Sequence, residues 1–294
     1  MERILEYKID KTDNDKTIEQ FLKQKGFPRN VIVQMKKTNE GICRNGIWAY
    51  TIDKLANGDT LRLIIDKEIA SSDIEPVNLP FEIIHEDEDI LVVNKPYNMP
   101  VHPSINNYDN SLANAIMYYY KDYDFVFRCI NRLDKDTSGL TIIAKNSLSG
   151  AILSQSVSKR QIHRTYTAIC SGETKISGTI MAPISRKEAS TIERCVDFTN
   201  GEAAITHYKR IAYDAQKDLS LVQLQLETGR THQIRVHMKY INHPLIGDFL
   251  YNPDYRYITR QALNSSEIEF THPITNQKMH FHIPLPSDMK CIFD

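Results

Sequence analysis

The sequence lacks the features that mark secreted, zinc-stabilised and membrane-spanning proteins. Its five cysteines are odd in number, widely scattered and free of any CxxC spacing, which argues against a disulfide framework and a structural zinc site. The opening segment, MERILEYKID, alternates charges and has no apolar core, so it differs from a secretory signal. No uncharged apolar run approaches the ~20 residues that a membrane span requires. These absences predict a cytoplasmic protein with no membrane association.

The chain also has almost no net charge, but its charges are unevenly distributed. The formal net charge is -1, whereas six basic residues and a single acidic one lie between positions 22 and 45. Those basic residues are Lys23, Lys25, Arg29, Lys36, Lys37 and Arg44. Lys36 and Lys37 lie seven and eight positions after Arg29, so the three side chains share one face of a predicted helix. Such a face binds RNA phosphates or is simply solvated, and charge runs of the second kind are common.

The first part of the chain predicts a compact unit of two helices and short strands over residues 16–66. KTIEQFLKQKG and PRNVIVQMKK have helical apolar spacing, and Pro28 suits the first turn of the second helix. Asn45-Gly46 is the dipeptide that two-residue hairpin turns prefer, and LRLII indicates a strand. The segment Lys67–Asn78 has no periodicity and predicts a linker. We therefore divide the chain into domains at residues 1–75 and 76–294.

The larger domain predicts an α+β fold with a mixed, mainly antiparallel sheet. FEIIHEDEDILVVNKP indicates a hairpin closed by an acidic turn, and GLTIIAK, TYTAIC, THYKRIAY and LSLVQLQLE indicate further strands. SLANAIMYYY and THQIRVHMKYI indicate helices. Strands outnumber helices and do not alternate regularly with them, which disfavours a doubly wound parallel sheet.

Three segments of this domain place polar residues in otherwise core-like surroundings. In INRLDKDTSGLTIIAKN, Arg132 and Asp134 stand just before a buried-strand pattern. In KRQIHRTYTAIC, Tyr166 opens an apolar strand, and TGRTHQIRVHMKYI carries Arg230 and Arg235 with no acidic residue. Polar residues at the mouth of a strand are held on a rigid support, as reactive groups need to be.

The motifs of the larger domain resemble those of the RluA family of RNA pseudouridine synthases. NRLDKDTSGLTIIAK, TGRTHQIRVH, NHPLIGD, NKPYNMPVHPS and RQALNSSEIEFTHPIT occur in the family's order, over roughly residues 80–290. The resemblance implies isomerisation of uridine to pseudouridine in structured RNA, with Asp134 as nucleophile, Tyr166 against the target base and Arg230 paired with Asp134. It implies no metal and no organic cofactor. The chain departs from the family pattern at Asn131, usually His, and at Arg164, usually Lys, and it lacks the glycine usual after VHPS.

The smaller domain resembles the RNA-binding module first described in ribosomal protein S-four. The resemblance is carried by FLKQKGFPRNVIVQMKK, GICRNG and LANGDTLRLII. Together with the enzyme family, it implies ribosomal RNA of the large subunit as the substrate, with transfer RNA as the alternative, and a chain acting as a monomer. The side chains that we expect to contact RNA are Arg132, Arg29, Lys36, Lys37, Arg44, Arg235 and His102.

The chemistry of the reaction explains these residue types. A carboxylate that attacks the ribose, or assists loss of a ribose proton, has to be ionised. Burial alone would raise its pKa, so a guanidinium beside it is needed to keep it charged. Arg230 and Arg235 are five positions apart and face different sides of a helix. Arg230, in the preceding loop or first turn, is therefore the expected partner of Asp134.

Two other classes of function remain as alternatives. Asp134-Lys135-Asp136 has the DxD pattern of aspartyl phosphatases, but there an apolar strand precedes the pattern and here it follows. An RNA-binding protein without catalytic activity would explain the basic small domain but not the three polar motifs of the large one. His232 and His237 are also five apart, which disfavours a zinc pair.

Overall fold

The computed structural model describes residues 3–65, 73–188, 190 and 192–293. Residues 3–65 form what we call the N-terminal module, and residues 73–293 form the C-terminal region. The elements of the module are β1 (Arg3–Lys8), α1 (Ile18–Gln24), α2 (Arg29–Lys37), β2 (Ile42–Arg44), β3 (Ile47–Trp48) and β4 (Thr60–Ile65). Its strands form one sheet in the order β1-β4-β2-β3.

Local sequence signals explain the boundaries of the module's helices. Thr17 and Gln20 form a capping box at the start of α1, and Gly26 follows the helix with a φ of 86°. Pro28 lies at the N-cap of α2, one residue before the predicted position. Asn45 and Gly46 have φ values of 53° and 79°, which confirms the predicted hairpin turn.

The C-terminal region is built on a nine-stranded sheet. Its elements are β5 (Glu82–Glu86), β6 (Ile90–Lys95), α3 (Leu112–Tyr119), β7 (Ser138–Ala144), α4 (Ser147–Ser158), β8 (His163–Ser171), β9 (Ser177–Met181), β10 (Ile184–Arg186), β11 (Arg194–Val196), β12 (Ile205–Asp214), β13 (Leu219–Leu226), α5 (Gln233–Tyr240), β14 (Leu263–Thr271), β15 (Lys278–His282) and α6 (Ser287–Lys290). The strand order is β5-β6-β7-β14-β8-β13-β12-β9, with β15 paired to β14, and β10 and β11 form a separate hairpin. The predicted α+β fold with a mainly antiparallel sheet is confirmed.

One parallel pairing joins the two halves of the large sheet. β7 and β14 pair in parallel through Ser138 with Asn264 and Gly139 with Ser265. Gly139 has a φ of 117°, and a Cβ there would lie 2.3 Å from the carbonyl oxygen of Ser265. Only glycine permits this approach, so the SG pair of the DTSGL motif brings the segment before β7 to the middle of the sheet.

Helix α4 connects the N-terminal module to the rest of the molecule. Leu148 belongs to the module's hydrophobic core, and Ile152 packs against that core. At the same interface Arg3 of β1 donates two hydrogen bonds to Asp89, of 3.0 and 2.9 Å. The module is thus packed onto the C-terminal region through apolar contacts and an ion pair.

The predicted linker, Lys67–Asn78, lies partly outside the described residues, and residues 73–78 have no regular secondary structure. Within the described ranges, no helix combines the length and apolarity that crossing a bilayer demands.

Candidate active site

A cleft of about 950 Å³ opens in the C-terminal region, where the three polar motifs meet. Its walls come from the loop after β6, the segment before β7, the end of α4 with the start of β8, and the segment after β13. Of the residues predicted from the sequence, it brings together His102, Arg132, Asp134, Tyr166 and Arg230. The order of the motifs in the sequence did not show how close they lie in the fold. They are brought together by the pairing of β7 with β14, of β14 with β8 and of β8 with β13.

The turn that carries Asp134 is held through its backbone. The N–H of Thr137 donates to the carbonyl of Asp134 at 3.1 Å, closing the turn. Lys95 Nζ and the N–H of Met99 both donate to the carbonyl of Lys135, each at 3.1 Å. These bonds fix the turn on β6 and β7, so the Asp134 side chain projects from a rigid support. That side chain is 28% exposed at the cleft.

Asn131, which departs from the family pattern, closes the loop that contains Asp134. Its side-chain amide donates to the carbonyl of Leu140 at 3.0 Å, and its side-chain oxygen accepts from the N–H of Ile142 at 2.8 Å. Asn131 is buried. Asn131, which stands where the family usually has His, therefore connects the start of this loop to β7 through two hydrogen bonds.

The predicted pairing of Arg230 with Asp134 is wrong, because Arg235 makes this contact. Nη1 of Arg235 donates to Oδ2 of Asp134 at 3.0 Å. Arg230 instead pairs with Glu202, and its Nε donates to the carbonyl of Ala203 at 3.3 Å. Helix α5 begins only at residue 233, so Arg235 occupies its first turn and faces the interior, whereas Arg230 lies in the preceding loop.

Arg235 is also held from behind by a second carboxylate. Its Nε and Nη2 donate to the two oxygens of Asp248, each at 2.7 Å, in a forked arrangement. Burial lowers the pKa of Arg235, but the hydrogen bonds and charges of Asp248 and Asp134 more than offset this and raise it well above its usual range. Because its side chain is 2% exposed, the expectation that Arg235 contacts RNA is also wrong. Asp248 lies in the quoted motif NHPLIGD, but only the tertiary structure shows its contact with Arg235.

Tyr166 forms the buried floor of the cleft. It lies on β8, is 4% exposed and lines the cleft beside Asp134. Burial raises its pKa, which keeps the phenol neutral. A neutral aromatic surface at this place is compatible with stacking on a base, which stays a prediction.

Arg132 and His102 also line the cleft. Arg132 is exposed. The His102 ring packs edge-on against Phe127 with a centroid distance of 5.2 Å. Burial lowers the pKa of His102, and the charge of Arg132 lowers it further. Both influences favour the neutral form of His102 in the free protein.

The basic residues of the N-terminal module are placed in two ways. Arg29, Lys36 and Lys37 are exposed on one face of α2, opposite its buried residues Val31, Ile32 and Met35. Arg44 lies on β2, where its guanidinium donates to the carbonyl of Lys54 and is 4.0 Å from Asp59. Binding of RNA by any of these four side chains stays a prediction.

Two groups among the described residues have the spacing of metal ligands, and neither lines the cleft. They are Asp87, Asp89 and His272, and Glu267, Glu269 and His280. In the first group Asp89 is already paired with Arg3. Burial raises the pKa of Asp87, but hydrogen bonds from His272 and His85 outweigh it and hold the pKa well below its usual range.

The chain is similar to known RNA-modifying proteins in sequence and fold. The RNA pseudouridylate synthase family matches residues 89–240. YhcT of Bacillus subtilis, described as an uncharacterized RNA pseudouridine synthase, is 40% identical over 261 residues, 87% of this chain and 83% of its own. Ribosomal large subunit pseudouridine synthase D of Haemophilus ducreyi is 40% identical over 240 residues, 76% of this chain and 72% of its own. The fold is similar to that of human RNA Pseudouridylate Synthase Domain Containing 1, with a TM-score of 0.59 and 24% identity over 74% of this chain and 86% of that one.

Proposed function

The chain belongs to the RluA-type RNA pseudouridine synthases, enzymes that isomerise uridine in RNA, and we propose that Asp134 is its catalytic nucleophile. The observation that carries this proposal is the ion pair between Asp134 and the buried Arg235 at the edge of the cleft. The guanidinium of Arg235 stays protonated and holds one oxygen of the carboxylate in place. The carboxylate remains 28% exposed, so a substrate can reach it.

The reaction needs an ionised carboxylate at this place. Attack of a carboxylate oxygen on C1′ of the ribose forms an ester and breaks the bond to N1, so that uracil leaves as an anion. The uracil rotates, C5 bonds to C1′, and the carboxylate leaves with its electron pair. The hydrogen at C5 is then lost as a proton, and N1 gains one. On the alternative route the carboxylate removes a ribose proton, and this route also requires the charged form.

The cleft suits a nucleotide that has been turned out of its helix. Its volume, about 950 Å³, exceeds that of one base and leaves room for the flanking backbone. In this proposal Tyr166 stacks on the uracil, and Arg132 with His102 contacts the strand from which the base has turned. Arg230, which lines the cleft and is 39% exposed, contacts a phosphate rather than Asp134.

Replacement of Asp134 tests the catalytic assignment. Asp134→Asn keeps the shape of the side chain and removes its charge, so pseudouridine formation should fall below detection. RNA affinity should stay within about tenfold, a change of ~1.4 kcal/mol or less. Asp136→Asn, in the same turn, is the matched control and should retain activity. If Asp134→Asn turns over substrate at an appreciable rate, Asp134 is not the nucleophile.

We propose large-subunit ribosomal RNA as the substrate. Relatives whose names state this substrate are 40% identical in Haemophilus ducreyi and 37% identical in Escherichia coli K12. The αα-β arrangement of the N-terminal module, with the exposed basic face of α2, supports a second RNA contact of the kind made by the ribosomal S-four module. Pseudouridine mapping of total RNA from cells with and without the gene decides the substrate. Loss of a modification in transfer RNA alone would overturn this choice.

A further inference from the structure

His232 has a backbone conformation that is unfavourable for histidine. It lies at the N-cap of α5 with φ 57° and ψ 18°, in the left-handed region, and its side chain does not cap the helix. Glycine or asparagine adopts this conformation at lower cost than histidine. The side chain is 13% exposed and directed inward. A strained residue with a buried ring beside a reactive carboxylate indicates that the ring has a function.

The contacts of Tyr251 favour one tautomer of that ring. The Tyr251 hydroxyl oxygen accepts from the backbone N–H of Arg194 at 2.8 Å and lies 3.0 Å from Nδ1 of His232. Burial raises the pKa of Tyr251 to about 12, so the hydroxyl keeps its proton. Because the hydroxyl has a proton to donate and already accepts from Arg194, we infer that it donates to Nδ1. A neutral His232 therefore carries its own proton on Nε2.

The Nε2 atom faces the carboxylate oxygen that Arg235 already binds. Nε2 lies 3.9 Å from Oδ2 of Asp134, and Nη1 of Arg235 donates to the same oxygen at 3.0 Å. Nε2 of His232 and Nη1 of Arg235 thus both lie nearest to the same oxygen, Oδ2. The second oxygen, Oδ1, has no part in either contact.

We propose that His232 is a positioning residue which, with Arg235, holds Oδ2 of Asp134 and leaves Oδ1 as the oxygen that reacts. The proposal rests on the proposed function, in which Asp134 is the catalytic group. The 3.9 Å separation shortens to a hydrogen bond when RNA fills the cleft, as catalytic hydrogen bonds commonly tighten in the substrate complex. A donor pair on one oxygen fixes the plane of the carboxylate and so aims the other oxygen at the ribose.

Burial is the main influence that keeps the His232 imidazole neutral, as this role requires. Burial lowers its pKa, and the charges of Arg235 and Arg194 lower it further, while Asp134 and Asp248 raise it. The net direction is downward. An imidazolium could not accept from Tyr251, so the neutral ring is the form that Tyr251 orients.

Two substitutions of His232 separate positioning from packing. Glutamine places an amide N–H near the position of Nε2, whereas asparagine reaches only the position of Nδ1. His232→Asn should therefore lower kcat about 10- to 100-fold with KM for RNA within about twofold. His232→Gln should stay within about threefold of wild type. Asparagine also suits the left-handed conformation, so His232→Asn should unfold at the same temperature as wild type or higher.

If His232 has only a packing role, His232→Asn should be more active than His232→Gln. Asparagine keeps the contact with Tyr251 and adopts the left-handed backbone conformation at lower cost. The proposal is overturned if His232→Asn has the wild-type kcat, if both variants lose equal activity, or if only KM rises. Asp134→Asn, measured on the same RNA, gives the background rate of the assay. If that variant is active the proposed function fails, whereas an inactive Asp134→Asn with a fully active His232→Asn rejects the role of His232 alone.

A spectroscopic measurement on the free enzyme needs no turnover. The ¹⁵N chemical shifts of the His232 ring should show Nδ1 unprotonated and Nε2 protonated at pH 7.5. Tyr251→Phe keeps the aromatic ring and removes the hydroxyl, so it should shift the ring towards a mixture of tautomers. It should also add no further loss of kcat to His232→Asn, because both act through one contact. A protonated Nδ1 in the wild type would contradict the proposal.

Discussion

The molecule uses positive charge in two contrasting ways, at the cleft and on the N-terminal module. Arg235 is 2% exposed and commits three of its nitrogens to two carboxylates. Arg29, Lys36 and Lys37 are exposed along α2 and face solvent. A buried cation positions another group and cannot be removed without leaving that group unpaired. An exposed cation contributes to affinity in proportion to the number of phosphates it neutralises.

The largest effect is expected from Arg235→Met. This change leaves the carboxylates of Asp134 and Asp248 without their partner, and breaking such a buried pair costs about 3–5 kcal/mol. Urea unfolding should show this loss, and kcat should fall by about 10³-fold or more. Arg235→Lys should recover stability in part and kcat poorly, because an ammonium cannot bind both carboxylates in the forked geometry.

Arg230→Met is the matched control for this contrast. Arg230 is 39% exposed and pairs with Glu202 at the surface, so its loss should raise KM in a salt-dependent way and leave kcat within about threefold. If Arg230→Met proved as damaging to kcat as Arg235→Met, the division between buried and exposed cations would not hold at the cleft.

Lys95 is a second buried basic residue, and its effect on the free energy of unfolding should depend on pH. Burial lowers the pKa of Lys95 from 10.5 to about 7, although the charges of Asp136 and Asp134 raise it. Between these two values the unfolded chain binds a proton on Lys95 that the folded chain does not. The free energy of unfolding should therefore rise with pH from about 7 upward, by as much as ~1.4 kcal/mol per pH unit, and Lys95 should add no pH dependence below 7.

The measurement compares urea unfolding of wild type and Lys95→Met at pH 6, 7, 8 and 9. The variant is expected to be less stable, because the carbonyls of Pro96, Met99 and Lys135 lose their donor. The informative quantity is the difference between the two curves, which should be flat below pH 7 and widen above it. Parallel curves up to pH 9 would show that the lysine stays charged in the fold.

The smallest effect is expected on the module. Changing Arg29, Lys36 and Lys37 together to Gln should weaken RNA binding about tenfold at low salt. Each lost phosphate contact should lower the slope of log affinity against log salt by roughly 0.9 for duplex and 0.7 for single strands. The rate at saturating RNA should not change.

The triple substitution is a cleaner test than removal of the module, because Leu148 and Arg3 connect the module to the C-terminal region. Changing three other exposed lysines, Lys11, Lys278 and Lys290, to Gln removes the same charge elsewhere. If this control weakens binding and flattens the salt dependence equally, the face of α2 has no special part in binding.

The sequence predicted the elements with clear local signals. The Asn45-Gly46 turn, the hairpin of β5 and β6, and the strand that follows Asp134 were all recognisable from residue type and period. β14 was missed because Asn264, Ser265 and Ser266 are buried and polar, which hides the strand from any hydrophobic pattern. α4 was missed because its sequence, SLSGAILSQSVS, combines many serines and a glycine with weak amphipathicity.

The sequence identified the residues of the candidate site better than the contacts between them. Asp134 and Tyr166 were recognised through their motifs, and both line the cleft. The partner of Asp134 was chosen wrongly because the choice depended on where α5 begins, and helix ends are poorly specified by local sequence. The roles of Asp248 and Tyr251 depend on tertiary contacts across the region, which no local pattern reports. The cytoplasmic location and the monomeric state stay predictions.

Helix α4 separates the core of the N-terminal module from the edge of the cleft. Leu148 near its start belongs to the module's core, while Val157 and Ser158 at its end line the cleft. The helix has 12 residues, about 18 Å at 1.5 Å per residue. If the module binds RNA as predicted, an RNA that contacts both the module and Asp134 must present two features whose separation depends on the length of this helix. In that case, a change of one turn in the length of α4 would shift which uridine reaches Asp134 and leave the chemistry unchanged.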